Sequence, residues 1–455
     1  MLNRLLIIAS ILVIGAGIVA VPFPYGATAI AVVALMATGF IVAFRRFTDE
    51  KEFITTVFLV GLALRIGFGL FVYVFDLGLF FGGDHVAYDL HGAELANAWN
   101  GILPLSQTAV GNIDLRSGSG WGMDYIVGAI YYVLGRNFFA AQSIFGLLGA
   151  ATAPLTFFLA RRIYSNLKVA KMAAVFIAVY PSFIIWSGQL LKDGLIIFLL
   201  VLAMTMVMEL QRKFNYFAVV TLIISLFGIL SLRFYIFYML VLAIGASLLI
   251  GLSGSQRSFL RNAIIMLVVG VGLTYLGVGQ QADIQLSTFG NLERVQISRE
   301  ALSQSNSGFE SDIDVSTAGG ALSAIPIGFV YLMFAPFPWQ AANLRQGITI
   351  PEVLVWWGLM PILLIGLYYS FRYNLRNAFP VLMFSFMLTI AYCIFQGNVG
   401  TAYRQRTQIQ LFLFILISAG WVYWKELREN KRLLHAAAQQ RVEAAMRARM
   451  TPHKV

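Results

Sequence analysis

Apolar runs of about 20 residues recur from one end of the chain to the other, each long enough to carry a helix across a hydrocarbon core of about 30 Å. In lipid, backbone donors and acceptors must be satisfied within the chain, so such runs predict transmembrane helices. Composition agrees: 59% of the 455 residues are hydrophobic and 12% are charged, against about 25% charged in soluble domains. The expected fold class is an all-α membrane protein, a polytopic helical bundle. Spans are expected at 5–21, 27–44, 53–75, 138–160, 169–187, 194–210, 215–232, 235–252, 262–278, 352–371, 378–396 and 408–425, about twelve transmembrane helices. The run at 5–21 has the form of a signal peptide. Val21-Pro22-Phe23-Pro24 offers no small-x-small cleavage site and a second span follows at once, so a retained anchor is expected. The single cysteine, Cys393, sits inside an apolar run, so no disulfide forms within the chain.

The net charge of +11 would suit nucleic acid if it were gathered in a groove, but its distribution is that of the positive-inside rule. With the N-terminus inside, Arg45, Arg46, Lys51, Arg161, Arg162, Lys168, Arg212, Lys213, Arg257, Arg261, Arg372 and Arg376 all fall in cytoplasmic loops. No nucleic-acid partner is expected, and both termini are placed on the cytoplasmic side of a cell membrane. This orientation requires that 121–134 and 325–337 do not cross; each is short for a span, and both are read as extracytoplasmic interfacial helices. The chain then divides into two N-terminal spans (1–52), a core (53–278) with a first outer loop at 76–137, a second outer loop (279–351) with an interfacial helix, C-terminal spans (352–425) and a basic cytoplasmic tail (426–455). No internal repeat is visible.

The first outer loop opens on Gly82-Gly83-Asp84. The glycines break the preceding helix and Asp84 is positioned to cap the next, which would account for it at about 1 kcal/mol. Helical spacing puts Tyr88 on the same face as Asp84, and His85 and Asp89 fall within the same turn and a half. An acidic group at the mouth of a membrane cavity can also act as a general base toward a hydroxyl.

The order span, Gly82-Gly-Asp-x-x-x-Tyr88-x-x-x-x-Ala93 resembles the opening of the GT-C membrane glycosyltransferases, which include protein O-mannosyltransferases and lipid A aminoarabinose transferases. Further segments are similar in sequence order. They are 128–150, like the family's interfacial helix, glycine turn and next span; Leu159-Ala-Arg-Arg-Ile-Tyr164, like its cytoplasmic end; and 180–195, like an outer turn bearing a Ser-Arg-x-x-x-x-Asp-like motif. The likeness covers roughly 53–210. It differs in two extra leading spans, in Asp84-His85 replacing an acidic pair, and in an interfacial helix without the usual prolines. The resemblance implies that Asp84 is the catalytic base or a ligand of a divalent metal, for which His85 is a second candidate.

Positive-inside bias strips cations from outer loops, so those that remain need a reason. Lys192 beside Asp193, Arg233 in the turn 231–234, and Arg404 and Arg406 in 396–407 are the candidates, with Tyr403, His85, Tyr88 and Asp89 as further substrate contacts. Guanidinium groups at headgroup depth bind a lipid phosphate bidentately and stabilise it as it leaves. Lys192 and Asp193 could equally form a local ion pair, and Arg233 could reach ordinary lipid phosphates. Arg65, about three turns inside its span, is a functional candidate or a structural pairing. In the second outer loop, 291–302 reads as a short helix and the acidic 310–314 as part of a lid or acceptor-facing stretch, with plain disorder the equal alternative. The expected activity is inverting transfer of a sugar from a polyprenyl-phosphate donor to a glycan, lipid or protein acceptor. The alternatives are a polymerase or ligase of lipid-linked oligosaccharides using the outer arginines, and a lipid or solute transporter.

Overall fold

The computed structural model describes residues 12, 15–17, 19–111, 120–251, 256–304, 307–309, 313–341 and 343–450, and among them it is helical throughout, without a named strand. Most of the expected span at 5–21, most of the acidic stretch 310–314 and the end of the tail lie outside the described residues. The first helices are α1 (Tyr25–Arg45), α2 (Lys51–Val74), the single turn α3 (Gly78–Phe81), α4 (Asp84–Trp99), α5 (Trp121–Leu134) and α6 (Phe138–Tyr164). There follow α7 (Leu167–Val179), α8 (Pro181–Ser187), α9 (Lys192–Arg212), α10 (Tyr216–Leu232), α11 (Phe234–Gly251) and α12 (Gln256–Tyr275). The chain ends with α13 (Val278–Phe289), α14 (Leu292–Ser303), α15 (Ala318–Phe334), α16 (Leu344–Tyr373), α17 (Leu375–Phe395) and α18 (Val399–Met450).

Seven of these helices are long and apolar enough to cross a membrane, nine if α7–α8 and α12–α13, each bent at a short break, count as one span apiece. The chain is thus an all-helical, multi-pass membrane protein. α10 and α11, expected as spans, are apolar but shorter. Several helices begin at asparagines whose side chains accept from the first free amides: Asn137, Asn166, Asn215 and Asn343 do this for α6, α7, α10 and α16.

α6 is the most enclosed span and packs on α1, α2, α7 and α9. Beside it the α7–α8 span bends by 54°. Pro181 has no amide proton to give Ile177, so the carbonyls at the break lose their helical partners. Arg65 of α2, buried, supplies them: Nη2 donates to Ile177 O (2.9 Å), Nη1 to Ala178 O (3.1 Å) and to Gly61 O (3.0 Å), and Nε to Ser187 Oγ (2.7 Å). The intramembrane arginine is therefore a staple for a broken helix, the pairing alternative of the two expected.

The stretch 121–134 is α5, which packs on α4 and α10. The stretch 325–337 is the second half of α15 with the turn after it; α15 starts at Ala318 and packs on α17, where a Cβ on Gly328 would lie 2.2 Å from Cys393 O. The carbonyl end of α15 is closed by Trp356 Nε1 donating to Met333 O (2.8 Å) and Trp357 Nε1 donating to Phe334 O (3.0 Å). One end of the bundle gathers the last residues of α2, α8 and α10, the first of α6, α9 and α18, and α4. The basic loops lie at the other, where Lys171 pairs with Glu50 (2.6 Å) and Arg162 with Glu209.

Candidate functional site

Asp193, in the first turn of α9, is fully buried and is the hub of a charge cluster. The helix N-terminus favours a carboxylate there. Arg233, the residue between α10 and α11, donates Nη2 to Asp193 Oδ1 at 3.0 Å. Arg404, on the second turn of α18, donates Nε to Asp193 Oδ2 at 2.5 Å. The same guanidinium reaches Asp84 Oδ2 through Nη1 at 2.9 Å and lies over the Trp186 ring at 5.5 Å. Four residues distant in sequence thus form one chain, Arg233–Asp193–Arg404–Asp84, running from the buried interior to a carboxylate whose side chain is 46% exposed.

Asp84 is not an N-cap. Gly83 takes that position, Asp84 is the first helical residue, and its side chain makes no capping bond. Gly82 before it holds φ of 154°, a conformation open to glycine, and a Cβ there would lie 3.7 Å from Arg404 Nη1. The glycine pair therefore brings the backbone close under the arginine as well as ending the previous turn. Tyr88, one turn on, is buried; burial above all, then the charges of Asp84 and Asp193, push its phenol above the ordinary range.

The local pair left open between Lys192 and Asp193 does not form, because adjacent helical residues do not face each other and the carboxylate is taken by the two arginines. Lys192 instead points past Gly120, whose Cβ would lie 3.3 Å from Nζ, and no described carboxylate lies within 4.0 Å of it. Arg233 is turned into the protein rather than to lipid headgroups, and its Nη1 has no hydrogen-bond partner among the described residues.

Arg404 and Arg406, expected to act together, diverge because residues two apart on a helix point to nearly opposite faces. Arg406 is wholly buried; its Nη1 lies 3.0 Å from Met333 O and 2.9 Å from Ala335 O, completing the cap of α15, with Trp356 and Tyr403 rings alongside. Tyr403 is also turned inward, donating Oη to Glu352 Oε2 (2.8 Å) beside Ser182, which hydrogen-bonds Glu352 Oε1. Neither residue joins the cluster around Asp193.

His85 Nδ1 sits 2.9 Å from Gly82 O, away from the Asp84 carboxylate's partner. Among the described residues no three His, Cys, Asp or Glu side chains converge, so the Asp84 and His85 pair does not fit a metal centre. Asp89 accepts from Tyr131 Oη (2.6 Å) and from Arg136 Nη2 (2.5 Å), tying α4 to α5 and the turn after it. Behind α4, His91 Nδ1 lies 3.3 Å from Asp124 Oδ1, and burial raises the Asp124 carboxyl above its usual range, partly opposed by His91.

Sequence reasoning named Asp193 only as a neighbour and missed Glu352 and the His91–Asp124 contact. Acidic residues inside apolar runs, such as Asp124 and Glu352, were the available signal. The sequence matches no protein-family model, and no curated protein is significantly similar to it.

Proposed function

We propose that the protein is an inverting glycosyltransferase of the GT-C type, moving a sugar from a polyprenyl-phosphate donor to a glycan, lipid or protein acceptor at the extracytoplasmic face of a cell membrane. The observation that carries this reading is Arg404, one guanidinium held between a buried carboxylate and a half-exposed one. Arg404 and Lys192 offer cations to a phosphate at the end of the helical bundle, and Arg233 lies behind them on the fully buried Asp193. A phosphate on Arg404 competes with Asp84 for the guanidinium and frees that carboxylate. Asp84 then takes the proton of the acceptor hydroxyl; its oxygen bonds to the anomeric carbon as the carbon–phosphate oxygen bond breaks, and the departing polyprenyl phosphate keeps the electron pair.

In this reading the twelve-span orientation with both termini cytoplasmic puts Asp84, Lys192, Arg233 and Arg404 on the outer side, and membrane lipids surround the rest. The polymerase or ligase reading loses Arg406, which is committed to α15. The broken α7–α8 span favours a transporter as the second reading, although Arg65 already satisfies the break.

A transfer assay in liposomes with polyprenyl-phosphate sugars separates them. Wild-type protein is expected to release polyprenyl phosphate and Asp84→Asn to fold but lose at least about 100-fold in rate, the usual contribution of a general base. Equal rates would remove Asp84, and movement of a solute without donor consumption would establish the transporter.

A further inference from the structure

A cavity of about 240 Å³ lies along the stripe of α4 next to the one that carries Asp84 and Tyr88, lined by Tyr73, Asp76, His85, Asp89, Phe138, Gln142 and Gln189. Beside it Gly69 lets α2 approach closely: a Cβ there would lie 2.5 Å from Gly188 O and 2.7 Å from Gln142 Nε2. Its lining combines two kinds of surface. Tyr73 and Phe138 form an aromatic wall, stacked 6.1 Å apart at 23°. Facing it are two carboxylates, an imidazole and two carboxamides, and the Gln142 Nε2 has no hydrogen-bond partner although the residue is 2% exposed. An unpartnered buried amide costs about 1–3 kcal/mol, so a polar partner is needed there. Asp76 keeps its place with φ of 49°, a left-handed conformation that aspartate tolerates better than most residues.

We propose that this cavity binds a single pyranose-sized polyol. Carboxylates and carboxamides accept from and donate to neighbouring hydroxyls, while the aromatic wall covers the apolar C–H face of a sugar ring. The volume, a little below the roughly 300–1,000 Å³ of drug-sized pockets, admits one ring and not an oligosaccharide. A cation is the poorer fit, since among the described residues no three acidic or imidazole groups come close enough to hold one. His85 and Asp89 share one stripe of α4 while Asp84 and Tyr88 share the next, so one helix would present the polyol and the base side by side. The polyol's part in transfer rests on the glycosyltransferase reading; its binding does not.

The test is saturation-transfer NMR of the full chain in lipid nanodiscs with methyl glycosides of common hexoses and pentoses. At least one glycoside is expected to bind wild type and Asp84→Asn alike, and to bind Gln142→Met and Asp76→Asn about tenfold more weakly, the loss of roughly one hydrogen bond. Asp76→Asn keeps the left-handed residue and guards against a folding failure of the buried variant. No binding by wild type, or unchanged affinity in both variants, overturns the proposal. In the transfer assay, a raised acceptor KM in Asp76→Asn identifies the polyol as the acceptor's, and a raised donor KM identifies it as the donor's sugar; either supports the cavity. Glycoside binding without any transfer would sink the transferase reading and leave the cavity standing.

Discussion

At the scale of single residues, the two carboxylates on Arg404 differ in what they do because they differ in burial. Asp193 neutralises two buried guanidiniums, and removing it strips Arg233 of its carboxylate partner and leaves Arg404 with the half-exposed Asp84 alone. Asp193→Asn is expected to cost about 3–5 kcal/mol, read as a lowered thermal midpoint in detergent. Asp84, half in solvent, should cost below about 1 kcal/mol when changed to Asn, while transfer is lost. A thermal midpoint unchanged in Asp193→Asn would contradict the hub role. Asp124 supplies a pH signature. Burial raises its carboxyl above the usual range, so the folded state holds the proton at pH values where the unfolded chain releases it. Its contribution is present at acid pH and lost as pH rises through the raised value. Asp124→Asn, neutral throughout, is expected to lose that slope in thermal scans above the ordinary carboxylate range.

At the scale of elements, arginines do three different jobs according to which helix end they meet. Arg65 replaces the bonds that Pro181 removes, Arg406 closes α15, and Arg404 faces the site. Arg406→Met should therefore lower stability of the whole protein, while Arg404→Ala leaves the fold and weakens donor binding; comparing folded yield with donor KM in the two variants checks this. Helix packing offers a second element-level test. A Cβ on Gly366 of α16 would lie 2.0 Å from Leu416 O of α18, and one on Gly420 would lie 2.3 Å from Ile362 O. In lipid, close backbone approach between small residues is a main source of helix association. Gly366→Leu is expected to force α16 from α18 and give aggregated or degraded protein, measured by gel filtration, whereas a normal elution profile would show that the contact is dispensable.

For the whole molecule, the sidedness of the bundle is open to a direct experiment. Cys393 is buried, so a cysteine introduced elsewhere reacts alone with a membrane-impermeant maleimide. Ile102→Cys, beside α4, and Leu433→Cys, in the tail, are both exposed positions. In sealed right-side-out vesicles the first is expected to label and the second only after the membrane is opened; the reverse pattern would invert the orientation read from the basic loops.

The sequence by itself determined that this chain lives in a membrane as helices, since apolar length and backbone satisfaction leave no other choice. It also marked Asp84, Lys192, Arg233 and Arg404 as residues in need of a partner, because cations and acids are costly near lipid. What it left undecided was who partners whom. Arg404 and Arg406 look alike in the chain, but helical phase sends one to Asp193 and Asp84 and the other to the end of α15. The pairing of Asp193 spans 40 residues to Arg233 and 211 to Arg404, and Ser182 meets Glu352 across 170. Burial of an ionisable group is tolerable only where opposite charge and donors arrive from other helices, and that convergence is a property of the packed bundle alone.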